Sequence, residues 1–262
     1  MRSKTFRAFG VVSLGILLLL AAPAFAQFQD KIIGFNFNNP MSASAFTMVM
    51  NNAREEALAK DLGVSQPRGR TTTVQNQPSQ PVNDAALRFQ PTGTRIKTHD
   101  LAESLGSTPA QRQQYETLMN AVLQVYEGET QKVGMQNDLA TALSFFFAEN
   151  IRIYRGQQEL PDSQFVAVRN TIAQVLSAQG AFRNATDRQK QEMWETLIAY
   201  TGLTLYGYNE ALKANQDEMA KGYRKVAGQN LQSVTKLSPD DINLTATGLA
   251  ITRSAAQART PR

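Results

Sequence analysis

The sequence predicts an all-α protein, a helical bundle of four long helices with additional short helices. Two segments begin with a threonine that is followed three residues later by glutamine, at Thr108 and Thr186, and this capping-box pattern marks helix starts. Apolar side chains then recur every three or four residues, as on the buried face of a helix. A third segment, after Asn137, is apolar on almost every face, so we expect it at the centre of the bundle.

The first 26 residues are typical of a secretory signal peptide. Three basic residues precede an apolar stretch at 11–22, and the small-x-small sequence Ala24–Ala26 follows it. An apolar core of about 7–15 residues fits a signal peptide, whereas a membrane-spanning helix needs about 20. We expect cleavage before Gln27, an exported protein that is periplasmic or secreted, and no integral membrane span in the mature chain. The alternative is an uncleaved N-terminal anchor.

We predict that residues 27–63 form an apolar N-terminal arm and that residues 64–94 form a linker. The arm contains an alternating segment, Ile33–Phe37, that favours a short strand, followed by a segment with helical spacing that ends at Gly63. The linker holds four prolines and many polar residues, so it has little apolar surface to offset the entropy of ordering. We expect residues 64–94 to be disordered. The alternative is a long loop that lies on the main domain.

Residues 95–251 predict one helical domain. The helix start signals within it lie at Thr108, after Asn137, at Asp162, at Thr186 and near Gln216, with a short helix expected at Asp100–Leu105. Gly156 and Gly180 are expected to end two of these helices. A domain of this size buries about 70% of the surface that its unfolded chain exposes, so its core needs neither a disulfide nor a metal.

The C-terminal region predicts an extended segment and then a tail. Apolar residues alternate with polar ones between Ile242 and Ile251, and a small two-stranded pairing with Ile33–Phe37 is one hypothesis, because both segments need partners for their backbone groups. Residues 252–262 carry three arginines and predict a disordered basic tail.

Charge argues against a nucleic-acid partner. The chain has 27 basic and 22 acidic residues, and residues 1–26 hold three basic and no acidic ones, so the mature chain keeps 24 against 22, a net charge of +2. Phosphate binding needs lysines and arginines clustered on one face, and the sequence gives no sign of such a cluster. We therefore expect no nucleic-acid binding.

Composition and motifs narrow the chemistry further. The chain contains no cysteine, which excludes disulfides, thiol catalysis and thiolate metal sites. The single histidine, His99, argues against a His-rich zinc or copper site, whereas an oxygen-ligated calcium or magnesium site stays open in principle. The sequence has no nucleotide-binding glycine loop and no hydrolase nucleophile elbow. We expect no cofactor.

Several short blocks resemble an uncharacterised family of exported bacterial proteins. The resemblance covers about residues 28–60 and 95–251, on either side of the linker. The blocks that carry it are Thr94-Arg95-Ile96-Lys97, Asp100-Leu101-Ala102, Asn137-Asp138-Leu139-Ala140, Phe145-Phe146-Phe147-Ala148, Tyr154-Arg155-Gly156, Asp187 with Lys190-Gln191, and Leu244-Thr245 with Gly248-Leu249. The resemblance implies a signal peptide, a Pro/Gln-rich linker and a C-terminal helical domain, and it supplies no catalytic residue.

The candidate ligand-binding residues lie near the end of the central helix. They are Glu149, Asn150, Arg152 and Arg155. Charged side chains on a buried helix are costly unless they are paired, and Glu149 and Arg152 are one turn apart. One interpretation is a polar pocket that binds an anionic or carbonyl group. The other, which the sequence favours, is a structural ion pair with Arg155 placed against the helix dipole.

Two further groups of residues are candidate sites. His99 lies beside Asp100 and near Glu103, and it is either a general base or, as the sequence favours, a solvated side chain at a helix start. A set of aromatic residues either floors a groove for a peptide, glycan or lipid headgroup or, as helical spacing favours, belongs to the core. This set is Trp194, Tyr200, Tyr206, Tyr208 and Tyr223. We assign no catalytic and no metal-binding residue.

The function that the sequence favours is a non-catalytic interaction or binding module. The arm is expected to dock on its own domain or on an envelope protein partner, or to mediate self-association, because it carries many apolar side chains. The alternative is a hydrolase-like envelope enzyme that uses Glu149 or Asp138 as acid or base. A water-accessible concavity at Glu149 would support this alternative, and a closed core around it would argue against it.

Overall fold

A computed structural model describes residues 84–245 and 248–251 and confirms the all-α class. Its helices are α1 (Thr98–Leu105), α2 (Pro109–Lys132), α3 (Leu139–Arg155), α4 (Asp162–Ala178), α5 (Asp187–Lys213) and α6 (Asp217–Thr235), and its strands are β1 (Ile242–Thr245) and β2 (Gly248–Ile251). Every start signal in the sequence heads a helix of 17 or more residues, so the described chain has five long helices and not four. The short helix expected at Asp100–Leu105 is α1.

Helix α3 lies at the centre of the bundle, as its apolar composition predicts. It packs against α4, α5 and α6, and 14 of its 17 residues are buried. Three consecutive phenylalanines, Phe145, Phe146 and Phe147, point in different directions around the helix, and each is at most 2% exposed. A helix that is covered on all sides cannot present a broad surface to a partner, so only its two ends are open to function.

Local capping signals fix most of the helix boundaries. Thr108 and Thr186 each accept a hydrogen bond from the backbone N–H of the glutamine three residues later, at 3.3 and 3.2 Å, and each glutamine side chain returns a bond to the threonine N–H. Gly156 ends α3 in a left-handed conformation with φ 63°. Asp162 is not the cap of α4: Pro161 holds that position, and Asp162 is the first helical residue.

The C-terminal segment pairs with itself. β1 and β2 form an antiparallel hairpin in which Ile242 lies opposite Ile251 and Leu244 lies opposite Leu249. The prediction of extended structure is correct, and the partner of each strand is the other strand. The segment Ile33–Phe37, proposed as a partner, lies outside the described residues, as do the predicted signal peptide, the rest of the predicted arm, residues 64–83 and residues 252–262.

The packed domain begins earlier in the chain than the boundary predicted at residue 95. Leu87 is fully buried and Phe89 is 6% exposed, although the sequence places both in the linker. Asp84 forms an ion pair with Arg169 of α4, and Arg169 also binds Asp138, the N-cap of α3. Residues 84–94 therefore belong to the domain. Although several of these residues are polar, the burial of two apolar side chains and one ion pair stabilise their packing against the helices.

Candidate functional site

The four residues predicted as a binding site divide into two environments. Glu149 and Asn150 belong to the core, with exposed fractions of 6% and 0%. Arg152 donates from Nε to Oε2 of Glu149 at 2.7 Å, and its side chain is 12% exposed. Arg155, in the last turn of α3, instead borders a surface groove. The structure thus brings Glu149 and Arg152 together and separates Arg155 from them.

Glu149 is a buried carboxylate without open access to solvent. Burial raises its pKa above the ordinary value of 4.5, and the charge and hydrogen bond of Arg152 offset part of this rise. Asn150 beside it donates to the carbonyl of Phe146 at 2.8 Å and accepts from the side chain of Asn230 on α6 at 2.9 Å. These contacts hold α3 against α6, which is a structural role.

Asp138, the other carboxylate considered as an acid or base, is also fully engaged. It is completely buried, and it accepts from the backbone N–H of Ala140 at 2.9 Å and from the hydroxyl of Thr141 at 3.0 Å. Its second oxygen also binds the guanidinium of Arg169. Asp138 therefore caps α3 and neutralises a buried arginine.

A basic groove opens beside the C-terminal end of α3. It has a volume of about 490 Å³, and we define it by its lining residues, which are Tyr154, Arg155, Lys221, Arg224, Lys225 and Asp240. Four of these six side chains are cationic and one is a carboxylate. The prediction from the sequence that basic residues do not cluster is wrong, because α6 carries three of the four cations to the end of α3.

Two arginines of the basic groove are anchored by backbone carbonyls. Arg155 donates from Nη2 to the carbonyl of Ile242 at 2.6 Å, and Arg224 donates from Nε to the carbonyl of Tyr154 at 3.0 Å. Among the described residues, neither guanidinium has a carboxylate within ion-pair distance. The partial negative charge at the C-terminus of α3 stabilises both cations where they stand.

The other lining residues complete the electrostatics of the groove. The hydroxyl of Tyr154 donates to Oδ1 of Asp240 at 2.9 Å, which engages the only carboxylate in the lining. Lys221 pairs with Glu218 at 2.6 Å on the exposed face of α6. Lys225 is exposed and has no ion pair among the described residues. The open groups of the groove are thus predominantly positive.

The strap, residues 88–97, crosses the surface of α5 and is fixed by buried side chains. Gln191 accepts from the backbone N–H of Thr92 at 2.8 Å and donates to the carbonyl of Thr94 at 2.7 Å. Glu195, which is fully buried, accepts from the backbone N–H groups of Ile96 and Lys97 at 2.9 and 2.8 Å. These two amides lie at the start of α1, so a buried carboxylate serves as the cap of that helix.

His99 and its neighbours form ion pairs at the surface. The imidazole is 70% exposed and lies 3.2 Å from a carboxylate oxygen of Glu116, whose hydrogen bond raises the pKa of His99. Asp100 pairs with Lys97, and Glu103 pairs with Arg112, each at 2.7 Å. Each group is satisfied by a neighbour at the surface.

Four of the five aromatic residues weighed as a groove floor are buried. Trp194, Tyr200, Tyr208 and Tyr223 are at most 5% exposed, and Tyr206 is partly buried against the core. Burial raises the pKa of Tyr200 and Tyr223 well above the ordinary value of 10. The interpretation of this set as core and boundary residues matches the structure.

Sequence reasoning missed Arg224, Lys221 and Lys225 of the basic groove. Tyr154 and Arg224, which are in direct contact, are 70 residues apart in the sequence. A signal was nevertheless present, because α6 shows Lys221, Arg224 and Lys225 at spacings of three and four residues, which places them on one helical face.

The described residues form a helical bundle with a basic groove at the C-terminal end of α3. The chain belongs to the family of unknown function DUF6683, whose family model matches residues 8–252. The resemblance to an uncharacterised family is therefore confirmed. No curated protein and no solved structure matches the chain. Within the described residues, no helix combines the length and the apolar character required to cross a bilayer.

Proposed function

We propose that this protein is an exported, non-catalytic binding module whose basic groove contacts an anionic partner. One observation carries the proposal. Arg155 and Arg224 are held by backbone carbonyls and, within the described chain, have no carboxylate partner. Arginines in this state keep their charge available for a ligand.

The chemistry of guanidinium favours a partner with phosphate or carboxylate groups. Each arginine has five N–H donors in a planar fork, and the anchoring contacts use one donor of Arg155 and one of Arg224. The remaining donors suit the paired oxygens of a phosphate or a carboxylate. Because the anchors fix both side chains before binding, less conformational entropy is lost when a ligand arrives.

The structure gives less support to the enzyme alternative. Glu149 is 6% exposed and pairs with Arg152, and Asp138 is fully buried and pairs with Arg169. A general acid or base must reach the proton that it transfers to or from the substrate. Neither carboxylate has such access in this arrangement.

Export and a contact role for the arm are further parts of the proposal. The basic start, short apolar core and Ala24–Ala26 ending of residues 1–26 support export. The apolar side chains of residues 27–63 support docking of the arm on an envelope protein or on a second copy of the chain.

The groove is tested by calorimetric titration of the mature chain with polyphosphate and with polyglutamate, and dextran serves as the uncharged polymer. We expect binding to one or both polyanions that weakens as salt rises, and no binding to dextran. The double variant Arg155→Gln with Arg224→Gln is expected to weaken binding by about tenfold or more, since two charge-assisted contacts are lost.

A matched variant separates the groove from net charge. Lys132→Gln with Arg188→Gln removes the same two charges from exposed positions on α2 and α5. We expect it to bind within about twofold of the unchanged chain. Equal loss in both double variants, or no polyanion binding by the unchanged chain, would contradict the proposal.

A further inference from the structure

We propose that a second cavity, beneath the strap, binds a neutral, hydroxyl-rich small molecule of about one sugar ring. This strap cavity has a volume of about 290 Å³ and lies between the strap, α2 and α5. Its walls include Phe89, Trp194, Thr94, Arg95 and Glu127. It shares no residue with the basic groove, so the inference is independent of the proposed function.

One wall of the strap cavity is aromatic. Phe89 and Trp194 stand edge to face, with ring centroids 5.9 Å apart, and both residues line the cavity. Phe89 is 6% and Trp194 is 2% exposed, so only small parts of these rings are open to the cavity. They give the C–H groups of a sugar or polyol a small apolar contact.

The rim of the strap cavity contains both hydrogen-bond donors and hydrogen-bond acceptors. Arg95 binds Glu127 through two parallel contacts of 2.7 Å, and the two side chains are 31% and 37% exposed. The guanidinium has further N–H donors, and the carboxylate has further lone pairs. Hydroxyl groups both donate and accept, so they match such a pair.

The charge of the rim favours a neutral ligand. Arg95 and Glu127 neutralise each other, so an anion near the pair meets the carboxylate and a cation meets the guanidinium. The volume lies at the small end of the range for ligand cavities, which is about 300–1,000 Å³. This size suits a ligand of about one ring.

Buried side chains hold the strap in place beside the strap cavity. Gln191 and Glu195 fix the strap, so the cavity is formed before the ligand arrives.

The test uses the mature chain and the fluorescence of Trp194, the only tryptophan in the sequence. The chain is titrated with glucose, N-acetylglucosamine and glycerol, and with glucuronate and glucosamine as charged comparators, and saturation-transfer NMR provides a second readout. We expect a saturable change with at least one neutral sugar and weaker binding of the charged comparators.

Variants locate the binding in the strap cavity. Thr94→Phe fills the cavity and is expected to weaken binding by about tenfold or more, while Thr117→Phe, an exposed position on α2, leaves it unchanged. Glu127→Gln keeps the shape of the rim but removes its carboxylate, and it is expected to weaken binding even if Thr94→Phe fails to fold. The proposal is overturned if no neutral sugar gives a saturable change, if the charged comparators bind as tightly, or if neither cavity variant weakens binding.

Discussion

Glu195 illustrates how one buried carboxylate organises a stretch of backbone. It is fully buried, yet it accepts from two backbone N–H groups, at Ile96 and Lys97, and from the side chain of Gln191 at 2.7 Å. A carboxylate that receives several N–H donors tolerates burial, because those contacts replace its lost hydration. Single polar residues of this kind fix the strap, while apolar packing fixes the helices.

Glu149 gives a residue-scale prediction about pH. Burial raises its pKa in the fold, so the folded chain holds this proton to a higher pH than the unfolded chain does. Its contribution to stability is therefore fully present below the ordinary pKa of 4.5 and is lost as pH rises through the raised value. We expect Glu149→Gln, which cannot ionise, to gain stability relative to the unchanged chain as pH rises above the ordinary pKa of 4.5.

Urea unfolding at a series of pH values measures this difference. Glu103→Gln is the control for loss of one carboxylate, since Glu103 lies on the surface and pairs with Arg112 at 2.7 Å. A difference between Glu149→Gln and the unchanged chain that stays constant across the pH range would show that Glu149 titrates alike in the folded and unfolded states.

At the scale of elements, two glycines of α5 allow the neighbouring helices α2 and α6 to approach it closely. A Cβ built on Gly207 would lie 1.9 Å from the ring of Tyr223 on α6, and one built on Gly202 would lie 2.1 Å from Val122 on α2. Both neighbours would have to move to admit a methyl group. The two glycines thus let α5 pack tightly between α2 and α6.

Paired alanine substitutions test this packing. Gly207→Ala is expected to lower the free energy of unfolding by about 1–3 kcal/mol, because it overpacks the contact with Tyr223, which is 4% exposed. Gly128→Ala lies in α2 with no atom within 4 Å of the added Cβ, and it is expected to raise stability by about 0.5–1 kcal/mol through helix propensity.

Denaturant unfolding of the two variants measures whether each substitution lowers or raises the free energy of unfolding. Helical content by circular dichroism is expected to stay the same in each. If both substitutions stabilise the chain, helix propensity outweighs packing at Gly207, and the close contact between α5 and α6 is not a constraint on the fold.

At the scale of the whole molecule, the boundary of the domain has measurable consequences. Leu87 and Phe89 insert into the core, and Asp84 binds Arg169. Burial raises the pKa of Asp84, but the hydrogen bond and charge of Arg169, with a further contribution from Arg88, outweigh it and leave the pKa below its ordinary value. Residues 84–94 are therefore held to the rest of the domain by both apolar and ionic contacts.

Two truncated chains test the boundary. A chain that starts at residue 95 is expected to be about 3–6 kcal/mol less stable than one that starts at residue 84, since burial of each large apolar side chain contributes about 1.5–3 kcal/mol. Urea unfolding measures the difference, and Leu87→Ala in the longer chain is the matched single-site control, with an expected loss of about 2–5 kcal/mol. Equal stability of the two chains would place residues 84–94 outside the folding unit.

The basic groove shows where prediction from sequence reaches its limit. Arg155 was recognised as a candidate because it follows an apolar helix, but Glu149 and Asn150 were grouped with it only by proximity in the sequence. Side chains at neighbouring positions on a helix point in different directions, so a run of polar residues is divided between core and surface. Arg224 joins Arg155 only because α6 crosses the end of α3.

By itself, the sequence determined the helical class, the start of most helices and the central place of α3. These features follow from capping side chains and apolar periodicity, which act over a few residues and can be recognised in the chain. Only the tertiary structure decided that residues 84–94 belong to the domain, that β1 pairs with β2, that the strap lies on α5 and that the basic groove forms. Those features depend on contacts between residues as many as 102 positions apart, as between Arg88 and Lys190, and local patterns carry no information about such pairings.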